Sequence, residues 1–177
     1  DTYSYMWPRD GALVSYALMK AGYTTTCRKF FDFCANVITP YNFCASVMVE
    51  NGFLLHKYNP DGSFGSSWHP WVKGEEIHVP IQEDETALIL WAIWQYYDLY
   101  RKIDVIRPLY HSFIEKTADF LVSYRDEQTG LPLPSYDLWE ERRGILSFTT
   151  ATVYGGLIAA ANLSDICVRT EKAKVYR

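Results

Sequence analysis

Ala87-Leu88-Ile89-Leu90-Trp91-Ala92-Ile93-Trp94 lies inside a helical stretch running from about Asp84 to Arg101. A helix so apolar on nearly every side has to be buried on most of them. The stretch that follows, from about Arg107 to Tyr124, has the opposite character. Tyr110, Phe113, Thr117, Phe120, Leu121 and Tyr124 form one stripe, and Glu115, Lys116 and Asp119 lie on the other side. The same alternation extends in both directions. Upstream, a helix opened by Pro8-Arg9-Asp10 runs through Leu13, Val14, Ala17, Leu18 and Ala21 to a stop at Gly22 and is apolar nearly all round. Its successor, after Thr24-Thr25-Thr26, carries Cys27, Phe30, Phe31, Cys34, Val37 and Ile38 on one face and ends before Pro40. Downstream, a helix from about Ser147 to Leu163 is rich in Gly155, Gly156, Ala159, Ala160 and Ala161, small residues that let backbones approach closely, and a sixth helix begins near Thr170.

Interior helices therefore alternate with surface ones. That order predicts an all-α protein, a partial (α/α)6 toroid of about the first half, whose inner ring is clothed by an outer one. A two-layer helical bundle is the competing arrangement. Residues from about 41 to 81 lack helical period and form a β-hairpin or loop insertion. Within it, Glu50-Asn51-Gly52 between Val47-Met48-Val49 and Phe53-Leu54-Leu55 signals a hairpin, and Asn59-Pro60-Asp61-Gly62 signals a turn. A loop of this length inside a compact domain is usually functional.

At 177 residues and 49% hydrophobic content the chain is of single-domain length and can bury a sizeable core. A net charge of -4 without a basic tract gives no reason to invoke nucleic acid, and the apolar runs are too short to span a membrane, so the expectation is a soluble protein. Cys27, Cys34, Cys44 and Cys167 have no metal-ligand spacing and read as small core residues, with a Cys34 to Cys44 disulfide left open. This leans toward a reducing, cytoplasmic setting. The chain opens at Asp1 without a methionine and stops in what looks like a helix just under way, so it reads as a piece of a longer protein.

Each interior helix is preceded by an acidic polar cluster: Trp7-Pro8-Arg9-Asp10, then Gln82-Glu83-Asp84-Glu85, then Asp137-Leu138-Trp139-Glu140-Glu141. If the inner helices run parallel, the three clusters meet at the mouth of one pocket. Capping favours acids at helix N-termini in any case, and Asp10 and Asp84 each fit that role. Capping leaves the aromatics unaccounted for, because Tyr3, Tyr5, Trp7, Trp68, Trp71 and Trp139 all sit on or beside these connections. Flat rings with carboxylates and Arg suit a sugar, whose apolar faces stack while its hydroxyls need donors and acceptors. A carboxyl between Asp137 and Glu141, held against the Trp139 indole with another acid near it, is expected to have a raised proton affinity, as a proton donor requires. No glycine-rich phosphate cradle, nucleophile signature or clustered His appears, and nothing calls for a metal or cofactor.

Four ordered motifs carry a resemblance: Tyr3-Ser4-Tyr5-Met6-Trp7-Pro8-Arg9-Asp10, His56-Lys57-Tyr58-Asn59-Pro60-Asp61-Gly62-Ser63, Pro80-Ile81-Gln82-Glu83-Asp84-Glu85-Thr86 and Asp137-Leu138-Trp139-Glu140-Glu141-Arg142. Together they resemble the glucoamylase family of glycoside hydrolases, particularly its prokaryotic glucoamylase and glucodextranase branch. The resemblance implies a toroid of six helical hairpins, with residues 1–177 the N-terminal part of one catalytic domain. It also implies an α-glucan substrate, exo-hydrolysis of α-1,4 bonds from non-reducing ends, with α-1,6 bonds left open, and inversion to β-glucose. Glu140 resembles the general acid. Arg9 and Asp10 resemble the pair that binds the terminal glucose hydroxyls, and Tyr3, Trp7 and Trp139 the aromatic walls of the first subsites. Asp137 and Glu141 resemble flanking carboxylates that hold the acid and the leaving-group sugar, while Gln82 and Asp84 match a polar motif of the same site. The family's base is a Glu beyond residue 177, so an isolated half-ring is expected to be inactive and to expose the apolar sides of its inner helices. Trehalases of the family usually differ where Pro8 and Trp139-Glu140-Glu141-Arg142 stand. A non-catalytic sugar-binding protein would keep the stacking residues without needing Glu140.

Overall fold

The computed structural model describes residues 4–38, 52–66, 72–77 and 79–177. Seven α-helices order the described chain: α1 (Pro8–Lys20), α2 (Thr24–Val37), α3 (Glu83–Tyr100), α4 (Ile103–Leu109), α5 (Glu115–Ser123), α6 (Ser147–Ile166) and α7 (Thr170–Tyr176). Two short antiparallel ribbons join them, β1 (Val72–Lys73) with β2 (Glu76–Ile77) and β3 (Ser135–Tyr136) with β4 (Arg143–Gly144).

The hydrophobic run 87–94 places α3 at the centre. Ala87, Ile89, Leu90, Ala92 and Ile93 are fully buried, and α3 packs against both α1 and α6. The α3–α6 contact depends on a missing side chain: a Cβ on Gly156 would lie 2.7 Å from the Ala87 carbonyl oxygen. On the outer side, α2 contributes Cys27, Phe31 and Cys34, and α5 contributes Phe120 and Leu121. Cys27, Cys34 and Cys167 are free thiols, and Cys44 lies outside the described residues.

The expected alternation of helices is present, with one correction. The helix expected from Arg107 begins at Ile103 and passes through Pro108. Proline withdraws the amide that would bond to the preceding turn, and the chain continues through a single π turn, Tyr110–Ile114, before α5. Ser112 Oγ donates to the Pro108 carbonyl (2.9 Å) across this irregularity. The first helix, apolar by sequence, buries Ala12 and Met19, but Leu13 is 49% and Val14 56% exposed. On and beside α6, Ile145, Phe148 and Tyr154 are likewise exposed, so α1 and α6 present open apolar edges on either side of α3. The hairpin expected at Glu50-Asn51-Gly52 lies, apart from Gly52, outside the described residues. The missing Cβ of Gly52 lets the backbone lie against the Lys116 carbonyl, 2.5 Å from where that carbon would stand. The Asn59–Gly62 turn forms as expected, with the Gly62 N–H donating to the Asn59 carbonyl at 2.9 Å.

The α3–α6 approach gives a paired test. Gly156→Ala forces a methyl into the Ala87 backbone and should cost about 1–3 kcal/mol, whereas Gly155, with nothing near its absent Cβ, should tolerate alanine or gain slightly from helix propensity. Thermal unfolding of both variants checks this; equal melting temperatures would show that the contact carries no strain.

Candidate active site

The first turn of α1 cannot satisfy its own amides. Trp7, at the N-cap, offers no capping side chain, and Pro8 has no N–H. The Arg9 backbone N–H is instead accepted by Oε2 of Glu85 in the first turn of α3. The Arg9 side chain follows the same direction. Its Nη1 donates to Asp84 Oδ2 (2.6 Å) and Gln82 Oε1 (3.0 Å) and lies 3.0 Å from Glu85 Oε1, while Nη2 donates to the Leu138 carbonyl (3.3 Å). One guanidinium of the first acidic cluster thus touches the other two.

The side chains of Asp84 and Glu85 are both 0% exposed. Burial raises the Asp84 carboxyl against the pull of Arg9, and raises Glu85 well above the ordinary range against the same pull. On the guanidinium, burial acts downward, but Glu85 and Asp84 outweigh it and hold its proton affinity above the usual value. Removing one partner of a buried pair leaves an uncompensated charge and costs about 3–5 kcal/mol, so this cluster ties α1 to α3 firmly. Gln82 Nε2 is buried with no hydrogen-bond partner among the described residues, so the cluster keeps polar capacity in reserve.

The segment before α6 is a hairpin, which the sequence did not indicate. The β3–β4 ribbon brackets residues 137–142, and the Tyr136 N–H donates to the Ile81 carbonyl (3.2 Å), seating the ribbon beside the start of α3. Within the loop, Asp137 Oδ1 accepts the N–H groups of Glu141 (2.8 Å) and Arg142 (3.2 Å), and the Asp137 carbonyl accepts that of Glu140 (3.0 Å). These bonds hold Glu140 at φ 58°, in the left-handed region. Such a backbone on a residue other than glycine persists only where its surroundings over-determine it, and it concentrates at functional sites. The Glu140 side chain is 10% exposed, with Oε1 3.3 Å from Nε2 of the buried His56.

The site residues expected from sequence fall into three groups. Arg9, Gln82, Asp84 and the Asp137–Glu141 loop come together as anticipated, with Gln82 and Asp84 buried on Arg9 rather than open to the surface. Trp7 lies at the start of α1, edge-on to Tyr5 with ring centroids 5.8 Å apart, and Asp10 is exposed on the same turn. Neither Asp10 nor Asp84 caps its helix. Tyr3 lies outside the described residues. The expected pairing of indole and acid is not formed: Trp139 is 81% exposed. For Asp137, what burial raises is outweighed by the N–H groups of Arg142, Glu141 and Trp139, which hold it below the ordinary range. Sequence reasoning missed Glu85, Glu83 and His56. For the first two a signal existed, since three consecutive acids open an otherwise apolar helix and need a cation from elsewhere. His56 opened one of the four motifs but was given no role, because its partner is distant in sequence.

A match to glycosyl hydrolases family 15 runs over residues 1–177. The chain belongs to this family. It is 30% identical over 172 residues to the uncharacterized glycosyl hydrolase MJ1610 of Methanocaldococcus jannaschii, covering 97% of this chain and 24% of the relative. It is 28% identical over 173 residues to trehalase 2 of Sulfolobus acidocaldarius, covering 93% of this chain and 28% of that enzyme. A glucoamylase from Saccharomycopsis fibuligera superposes with a TM-score of 0.72 at 22% identity, over 98% of this chain and 37% of the neighbour. The chain thus spans about a quarter of the length of these curated relatives. Its helices are part of an (α/α)6 toroid, with α1, α3 and α6 as the inner members. No described helix is long and apolar enough to cross a membrane, and no group of His, Cys, Asp and Glu able to hold a metal ion occurs among the described residues.

Glu83 gives a pH test of this family 15 site. Burial, with Asp84 beside it and the Ser135 hydroxyl pulling the other way, pushes its carboxyl from 4.5 up to about 8. The folded state therefore holds this proton longer than the unfolded chain, and its contribution to stability falls as pH rises from about 4.5 to 8. Glu83→Gln removes that decline. Its melting temperature should match the parent near pH 4 and exceed it most near pH 8 to 9; a pH-independent difference would refute a neutral Glu83.

Proposed function

We propose that this chain is the N-terminal part of a single (α/α)6 catalytic domain in an exo-acting α-glucosidase of glucoamylase type. Its substrate is an α-glucan, cleaved at α-1,4 bonds, with α-1,6 left open, from the non-reducing end with inversion to β-glucose. The observation that carries this reading is the Arg9 clamp, which gathers the three motif-bearing segments at one place and sets the strained Glu140 loop beside it.

In this reading Glu140 donates its proton to the departing glycosidic oxygen. A second carboxylate, from beyond residue 177 and about 6.5–9.5 Å away, activates water on the opposite face of an oxocarbenium-like transition state. Arg9 and Asp10 hold the terminal glucose hydroxyls. The bonds to protein occupy Nη1 and one N–H of Nη2, out of five guanidinium N–H groups, so donors remain for a ligand. Trp7, Trp139 and Tyr3 supply stacking surfaces, and the exposure of Trp139 suits a wall facing an open subsite. Asp137 acts through the backbone of the acid loop, Glu141 flanks it, and Gln82 and Asp84 act through Arg9. The identity to trehalase 2 favours a second reading, in which the same acid cleaves trehalose.

The deciding experiment uses the full-length protein with maltotriose, following anomeric protons by NMR from the first minutes. Prompt β-glucose is expected, and Glu140→Gln should lower kcat by at least about 10²-fold while leaving sugar binding intact. Prompt α-glucose would refute inversion, and near-normal turnover in the variant would refute Glu140 as the acid. Hydrolysis of trehalose without hydrolysis of maltotriose would select the trehalase reading.

A further inference from the structure

We propose that Glu85 is the positioning residue for Arg9, fixing the direction of its guanidinium from beneath the site without touching substrate. This rests on the α-glucosidase reading above, in which Arg9 holds the terminal sugar.

The two oxygens of Glu85 perform different tasks on the same residue. Oε2 accepts the Arg9 backbone N–H, and Oε1 lies 3.0 Å from Arg9 Nη1. A single carboxylate, reaching across from another helix and fully buried, therefore bonds the root of Arg9 with one oxygen and stands at ion-pair distance from its Nη1 with the other, which makes no hydrogen bond of its own among the described residues. Asp84 and Gln82 cannot do this, because each meets only Nη1. Helix caps need no charge, and ordinary ion pairs leave the backbone free. The combination is what a directed guanidinium requires: its root is pinned to the start of α1, one edge is held against α3, and Nη2 is turned toward the Leu138 carbonyl in the acid loop. Glu85 thereby sets the register between the group that holds the sugar and the loop that carries Glu140. Without the Glu85 oxygens, the guanidinium answers to Asp84 and Gln82 alone and can swing about Nη1.

A double-mutant cycle in the full-length protein tests this, with Glu85→Gln, Arg9→Ala and the double variant. Glutamine keeps an acceptor for the Arg9 N–H while placing an amide N–H in place of the oxygen that faces Nη1, and Arg9→Ala removes the guanidinium while leaving the N–H to be capped. The readouts are kcat/KM on maltotriose, Kd for 1-deoxynojirimycin by calorimetry as a glucose-configured ligand, and the melting temperature. Glu85→Gln alone should weaken both functional quantities on the order of 10²-fold. In the Arg9→Ala background it should change them less than about 2-fold, the non-additivity expected of residues that act as a unit. An equal loss in both backgrounds, or coupling seen in melting temperature alone, would overturn the positioning role and leave a purely structural one. If Glu85→Gln does not fold, Glu85→Asp, which keeps the charge but shortens the reach, enters the same cycle with the same expectation. A parent protein that neither binds the iminosugar nor hydrolyses any α-glucoside would overturn the α-glucosidase reading and this inference together, an outcome visible before any variant is made.

Discussion

The structure depends on one largely enclosed guanidinium. Arg9 is enclosed by Asp84, Glu85 and Gln82 from one helix and by the Leu138 carbonyl from a loop more than a hundred residues away in sequence. In a desolvated setting a guanidinium and its carboxylates have no good alternative to one another, since water cannot replace a lost partner. Hydrophobic packing brings α1, α3 and α6 side by side, but packing is tolerant of small slides. The ion cluster fixes the start of α1 against the start of α3 through directed bonds of fixed length.

The first turn of α3 distributes these restraints. Gln82, Asp84 and Glu85 hold Arg9. Thr86 Oγ1 accepts the Leu54 N–H (2.8 Å) and so anchors the segment that carries His56. Ile81, just before the turn, accepts the Tyr136 N–H and so anchors the ribbon that carries the acid loop. One residue further along, Ala87 receives α6 at Gly156. Four segments are therefore aligned on six consecutive residues and the one before them. Asp84, Glu85 and Thr86 are buried with a partner from another segment, whereas both Glu83 carboxyl oxygens are buried without a hydrogen bond among the described residues.

The acid loop illustrates how strain is held. Glu140 at φ 58° is disfavoured by about 1–3 kcal/mol relative to ordinary backbone. The loop keeps it there through the Asp137 carboxylate and carbonyl, whose acceptors are filled by the three amides that follow. The ordinarily low proton affinity of Asp137 reflects that use, because a carboxylate satisfied by backbone N–H groups favours its charged form. Neighbouring acids in one short stretch thus have different environments: Asp137 organises the turn, Glu140 is directed inward toward His56, and Glu141 is left exposed.

Much of this was legible in the chain itself. Period and composition determined the helices and their order of interior and surface, because burying an apolar stripe is a local demand written directly into side-chain spacing. The acidic clusters before the interior helices marked the site for the same reason, as charge without a local counter-charge is conspicuous in one dimension. Tertiary structure alone decided how those charges were used. Asp10 and Asp84 looked like caps, yet Glu85 from another helix caps α1; Trp139 looked like a cover for the acid, yet it is exposed, and His56 meets the acid instead. The open edges at Leu13, Val14, Phe148 and Tyr154 are a further case, since an apolar residue announces that it needs cover but not which surface supplies it. Pairing of charges and closure of helices both act through space between segments far apart in the chain, and spacing along the sequence carries no measure of that distance.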